Sequence, residues 1–183
     1  MEEFTTPVVT EHDHVRGPAD APVIVLEYGD YECPYCRGAF RDVHRMLDEY
    51  PGRIRFVFRN FPIKQVHPHA EQAAEAAEAA AAQGQFWPMY ELLLQPYAQL
   101  DIDALVDYAG RIGLDIPRFR EDITDQRYAR KIDDDVQEGV RNGVNQTPKF
   151  YVNGRRIDGK VPLENLEDEV RQAVAAADAG ARG

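Results

Sequence analysis

The stretch that decides the fold reads Val23-Ile24-Val25-Leu26-Glu27-Tyr28-Gly29-Asp30-Tyr31-Glu32-Cys33-Pro34-Tyr35-Cys36. Its first six residues are a short, β-branched, apolar run between Pro22 and Gly29, which predicts a buried central strand. After Cys36, the residues Phe40, Val43, Met46, Leu47 and Tyr50 recur at helical spacing, and Pro51-Gly52 ends the helix. Pro34 suits the first turn, where its missing N–H breaks no bond. Arg53 to Arg59 then alternates as a strand with one face buried. Strand, helix and strand form a βαβ unit, which calls for a parallel pair and a right-handed crossover.

Upstream, residues 1–20 are polar, with a turn signal at Gly17-Pro18, and read as an arm with a short edge strand. Downstream, the pattern is helical from His69 to about Asn142. An alanine-rich helix spans Ala70 to Ala82, and a second runs from Phe86 to Gln95, with Phe86 and Trp87 in its core. Asp101 caps a third that reaches about Gly113. A fourth opens at Ile116-Pro117, and a fifth, capped by Asp125, passes through Ile132 and Val136 toward Val140. Lys149 to Val152 reads as a strand, Asn153-Gly154 as a hairpin turn and Arg155 to Ile157 as the returning strand. Pro162 starts a last amphipathic helix through Leu163, Leu166, Val170 and Val174, and Ala175 to Gly183 is expected to fray. No repeat is visible, so the helical stretch reads as an insertion within one fold.

The 183 residues, 44% of them hydrophobic, suit one domain of ordinary size. The formal net charge of −11 argues against a nucleic-acid partner, which needs a basic patch, and against an anionic membrane surface. No apolar run is long enough to span a bilayer. The opening Met-Glu-Glu-Phe-Thr-Thr has neither the basic nor the apolar region of a secretory leader. This predicts a cytoplasmic protein, or an exported one whose leader has been removed.

Only two cysteines occur, Cys33 and Cys36. They are too few for a disulfide scaffold or an all-cysteine zinc site, so their close pairing points to chemistry rather than architecture. At a helix start, the first sulfur meets free N–H groups and the positive end of the macrodipole, both of which favour a thiolate. The second lies one turn on and is more covered. Cys33 therefore reads as the attacking thiolate and Cys36 as the resolving thiol, with exchange through a mixed disulfide. The competing readings of the pair are half a zinc site or two inert core residues.

The segment Glu27 to Cys36 resembles the active-site segment of DsbA-like thioredoxin-fold proteins. So do Phe58-Arg59-Asn60-Phe61-Pro62, His67-Pro68, Gln83-Gly84-Gln85-Phe86-Trp87 and Gly143-Val144-Asn145-Gln146-Thr147-Pro148. The resemblance runs from about Val15 to Val174. It implies an α/β protein with a thioredoxin-like fold and a helical domain inserted between its two halves. On that basis the chain divides into an arm (1–20), a thioredoxin-like domain (21–66 and 143–176), an inserted helical domain (67–142) and a frayed tail (177–183). It implies a cis bond before Pro148 in a loop beside Cys33, with the Thr147 backbone pairing to an extended substrate. Pro34 and Tyr35 would face that substrate. Glu27 stands where the family places a buried acid behind the disulfide, suited to relaying the proton of Cys36.

The implied activity is thiol–disulfide exchange with thiol- or disulfide-containing proteins, served by a further redox partner and needing no cofactor or metal. The chain departs from many relatives in Lys149, and from the strongly oxidising archetype in having Pro-Tyr rather than Pro-His between the cysteines. The second difference predicts a pair less oxidising than DsbA's roughly −120 mV, nearer the roughly −200 to −230 mV of glutaredoxins. Two other functions compete: a redox-inactive thioredoxin-fold binding or chaperone module, and a kappa-class glutathione-dependent relative, which typically carries serine in place of this pair. His12, Asp13 and His14 read as solvated, His67 and His69 as capping or packing residues, and Asp133-Asp134-Asp135 as an exposed helix face.

Overall fold

A computed structural model describes residues 5–157 and 164–180. In chain order the elements are β1 (His14–Arg16), β2 (Val23–Gly29), α1 (Pro34–Glu49), β3 (Ile54–Asn60), α2 (Ala70–Ala81) and α3 (Phe86–Leu93). Then follow α4 (Ile102–Arg111), α5 (Ile116–Thr124), α6 (Ala129–Arg141), β4 (Lys149–Val152), β5 (Arg155–Ile157) and α7 (Glu164–Gly180). The expected α/β, thioredoxin-like architecture is present. Five strands form one sheet in the order β1-β3-β2-β4-β5, and five helices intervene between β3 and β4. The β2 and β3 strands are parallel, as the βαβ reading requires, and the other pairings are antiparallel.

The central strand β2 sends Val23 and Val25 to the larger core, which holds Cys33, Cys36 and the helical residues, and Leu26 and Tyr28 to a smaller one. Helix α1 buries Cys36, Ala39, Val43 and Met46, a stripe at three- and four-residue spacing. The alanine run of α2 is buried along nearly its whole length, which lets neighbouring helices approach closely. Asn153 and Gly154 both have positive φ, 48° and 79°, the backbone that a two-residue hairpin turn demands.

The structure corrects several expectations. Strand β3 is buried on both faces, because a polar network covers the side expected to meet solvent. At its centre Arg59, 1% exposed, donates from Nε and Nη2 to Asp13 (2.6 and 2.8 Å). It donates from Nη1 to Glu138 (2.8 Å) and Tyr28 Oη (2.9 Å), and from Nη2 to the Val8 carbonyl (2.7 Å). This clasp binds the N-terminal arm to β3 and α6. His14 is not solvated: it stacks on Phe86 at 3.5 Å and pairs with Glu78 at 2.9 Å. Asp135 is buried, accepting from the Asn60 N–H (3.1 Å) and Lys131 (2.9 Å). Asp125 closes α5 at its C-terminus instead of opening α6, its N–H donating to the Glu121 carbonyl. Helix α7 continues to Gly180, past the point where fraying was expected; Pro162, its expected first residue, lies outside the described residues.

Candidate active site

Cys33 is the residue just before α1, with extended backbone (φ −67°, ψ 121°), and Pro34 opens the helix. No side chain caps this end. The N–H groups of Tyr35 and Cys36 instead serve the Cys33 sulfur, as they would serve a capping oxygen. The thiol of Cys33 is pulled down to about 5, first by the hydrogen bond from the Cys36 thiol, then by the Thr147 side chain and these two N–H groups, all against the opposing effect of burial. Cys36 moves the other way, well above the ordinary thiol value. Burial is the main cause, followed by its bond to Cys33 and the negative charges of Glu27 and Cys33. Hydrogen bonds thus lower Cys33 and burial raises Cys36, although both residues are nearly covered, Cys33 being 4% and Cys36 1% exposed.

The Thr147–Pro148 peptide is cis, and the Thr147 carbonyl lies 3.4 Å from Cys33 Sγ. Glycine, threonine and proline in Gly143 to Pro148 carry the chain out of α6 and turn it into β4 beside the cysteine. Lys149, where the chain departs from many relatives, is buried at the start of that strand. Pro34 and Tyr35 are exposed next to the sulfurs, Tyr35 by 62%.

Glu27 lies in β2 with Phe58 opposite it on β3 and Phe150 opposite it on β4. It is 1% exposed, and its Oε2 has no hydrogen-bond partner. Burial, reinforced by the Cys33 charge, pushes its carboxyl up to about 8. Gly29 makes the arrangement possible, since a Cβ there would lie 2.4 Å from the Phe58 ring. The buried hydroxyls of Tyr31 and Tyr90 also lack partners, and both phenols feel the Glu27 and Cys36 charges. Behind the two cysteines there is thus a set of buried polar groups without hydrogen-bond partners, set among aromatic rings.

Sequence reasoning missed three residues that shape the site. The Asp30 N–H donates to Cys36 Sγ (3.4 Å) and its carbonyl accepts from the Cys33 N–H (3.1 Å). The Asp30 carboxylate is bound by His67 Nδ1 at 2.8 Å. His67 is therefore neither a cap nor simple packing, and His69 pairs with Glu32 at 2.9 Å without its side chain capping α2. Arg37 joins the Tyr31 carbonyl (2.9 Å) to the Ala98 carbonyl (3.1 Å), fixing a loop whose Tyr97 is 91% exposed to the active-site helix. The signal for Asp30 was its place three residues before Cys33; nothing local announced its partners.

Comparison with known proteins places this geometry. The family model described as Thioredoxin matches residues 9–171. A thioredoxin-like oxidoreductase from Silicibacter pomeroyi DSS-3 superposes with a TM-score of 0.78 at 28% identity, covering 92% of this chain and 94% of that one. BdbD from Bacillus subtilis gives 0.83 at 23% identity, over 94% and 97% of the two chains. The α-DsbA1 of Wolbachia pipientis gives 0.80 at 20% identity, over 94% and 96%. The last two likenesses concern the fold. Among sequence relatives, the Na(+)/H(+) antiporter NhaA 3 of Salinispora tropica is 47% identical over 175 residues, covering 96% of this chain but 27% of that protein. The Na(+)/H(+) antiporter NhaA of Herminiimonas arsenicoxydans is 36% identical over 177 residues, again covering 27% of its length. The chain therefore spans about a quarter of these relatives. Among the described residues no helix is long and apolar enough to cross a membrane. The chain belongs to the thioredoxin family and has the fold of its DsbA-type members.

Proposed function

We propose that the protein exchanges disulfides with protein substrates through Cys33 and Cys36. The observation that carries this reading is the opposite displacement of the two thiols, one lowered to about 5 and its neighbour raised. Near neutral pH, Cys33 is a thiolate and Cys36 holds its proton. The Cys33 thiolate attacks one sulfur of a substrate disulfide; a Cys33–substrate bond forms and the other substrate sulfur leaves as a thiolate that takes up a proton. Cys36 then gives its proton toward Glu27 and attacks Cys33 Sγ. The mixed disulfide breaks, the second substrate thiolate leaves, and a Cys33–Cys36 disulfide remains. The substrate has gained two electrons and the protein has lost two; the reverse sequence oxidises a dithiol. With its carboxyl near 8, Glu27 takes or returns a proton close to neutrality.

Thr147 and Pro148 form the edge against which an extended substrate would lie, and Pro34, Tyr35 and Tyr97 offer it apolar surface. A Cys33 value of about 5 falls between thioredoxin near 7 and DsbA near 3.5, in keeping with a potential between those two proteins. The division into residues 21–66 with 143–176, and 67–142, makes the helical part a wall of the substrate site. The antiporter name belongs to proteins of which this chain matches only a quarter, and its activity is not carried over. A cytoplasmic setting would direct the exchange toward reduction, because thiols there are kept reduced, and an exported one toward oxidation.

In the test, Cys36→Ala retains captured proteins as mixed disulfides in cell extract, Pro148→Thr retains some, and Cys33→Ala retains almost none. Equal capture by the two cysteine variants overturns the assigned roles. No adduct, together with no insulin reduction by the intact protein, favours the redox-inactive binding module.

A further inference from the structure

Asp30 stands where β2 ends, and it touches both cysteines through its backbone. Its carbonyl accepts from the Cys33 N–H and its N–H donates to Cys36 Sγ, within the longer reach of sulfur bonds. Its side chain is bound from elsewhere. One oxygen accepts from the Glu32 N–H (2.9 Å), and the other from the Ile63 N–H and His67 Nδ1 (2.8 Å each). The carboxyl group is fully buried, whereas His67 remains 18% exposed. A carboxylate accepts three such donors with two oxygens; an amide would set its own NH2 against one of them. The peptide that carries the Asp30 N–H is therefore held in place by residues 33 and 37 positions away.

We propose that Asp30 and His67 are positioning residues for the resolving step, keeping the Asp30 N–H on the Cys36 sulfur while that sulfur becomes an attacking thiolate. The inference rests on the exchange reading above and names the groups that regulate its second half. A hydrogen bond to a charged sulfur strengthens as the charge develops, so its loss slows resolution more than the initial attack by Cys33. The Asp30 carboxylate itself opposes a nearby negative charge, so replacing it mixes two effects of opposite sign. Removing His67 is cleaner: it loosens the peptide and uncovers the carboxylate charge, and both changes disfavour a Cys36 thiolate.

The neighbouring Glu32–His69 pair supplies an internal comparison. It binds the same loop to the same segment at 2.9 Å, yet the Glu32 N–H goes to the Asp30 carboxylate and not, as the Asp30 N–H does, to a cysteine sulfur. The experiment mixes the reduced protein with glutathione disulfide, quenches with acid, and follows the mixed disulfide by mass spectrometry from pH 5 to 9. His67→Leu should slow resolution about fivefold to tenfold, the weight of one ordinary hydrogen bond, and raise the pH of half-maximal resolution. The initial attack should stay within about twofold on the same basis. The groups facing Cys36 in that profile are Cys33, Glu27, Tyr31 and Tyr90. His67→Asn keeps an N–H donor and should resolve nearly as fast as the parent, as should His69→Leu. The proposal is overturned if His67→Leu resolves at the parental rate, if both steps slow equally, or if His69→Leu has the same effect. If His67→Leu does not fold, a strong slowing by His67→Asn overturns it. Failure of the parent protein to form any mixed disulfide removes the exchange reading itself.

Discussion

Replacing Glu27 by glutamine tests whether burial governs the carboxyl at the centre of the sheet. Phe58 and Phe150 flank it on the two neighbouring strands, and its Oε2 has no partner. The folded chain holds the Glu27 proton up to about pH 8, whereas an ordinary glutamate releases it near 4.5. Below pH 4.5 both folded and unfolded chains carry the proton, and the stability that protonation gives is fully present. As pH rises, the unfolded chain loses the proton first, so the folded state binds more protons and stability falls until the folded carboxyl also ionises near 8. The interval is about 3.5 decades at about 1.4 kcal/mol each, so the full loss is about 5 kcal/mol. Glutamine keeps the shape and cannot ionise.

Urea unfolding should therefore show Glu27→Gln close to the parent at pH 5 and more stable by about 3–5 kcal/mol at pH 9. Forming the Cys33–Cys36 disulfide removes the Cys33 charge, the second cause of the raised value, so the gap at pH 9 should be smaller in the oxidised protein than in the reduced one. A difference between variant and parent that is the same at pH 5 and pH 9 would refute the reasoning. It would mean that water or a cation reaches the carboxylate when it charges.

Two further outcomes are expected. In Cys36→Ser, where the serine hydroxyl can still donate to the neighbouring sulfur, Cys33 should alkylate with iodoacetamide at half-maximal rate near pH 5; an ordinary thiol midpoint near 8.5 would refute the assignment. Asp13→Ala leaves Arg59 buried without its two-bond partner and should cost about 3–5 kcal/mol in urea unfolding, while Glu138→Gln, at a one-third exposed position, should cost about 1. A loss below about 1 kcal/mol for Asp13→Ala would show that the arm is not needed to compensate the arginine.

What the sequence reveals and what it hides divide by the distance to each residue's partner. The strand Val23–Gly29, the helix that begins at Pro34 and the Asn153-Gly154 hairpin follow from periodicity or turn chemistry inside a short window. So does the cap at Asp101, whose side chain accepts from an N–H three residues on. Glu27 is a partial exception, because an acid at the end of an unbroken apolar run is already in a buried strand. Polar residues elsewhere give no such cue. His14, Asp135 and Asp30 look like solvated or turn residues, yet each is held by partners 64, 75 and 33 to 37 residues away. Burying such a group is costly alone and acceptable when the partner arrives, so its environment is set by the tertiary fold and not by its neighbours in sequence. The same dependence shapes the active site. The two cysteines are named by their spacing, but the difference between their sulfurs also needs the burial of Cys36, the Glu27 charge behind it and Thr147 beside Cys33, all placed by the tertiary fold. A cysteine pair at this spacing on an isolated helix would keep the helix-end contribution and lose the other three. Its two thiols would then be more alike, and the order of attack and resolution would no longer be built into the fold.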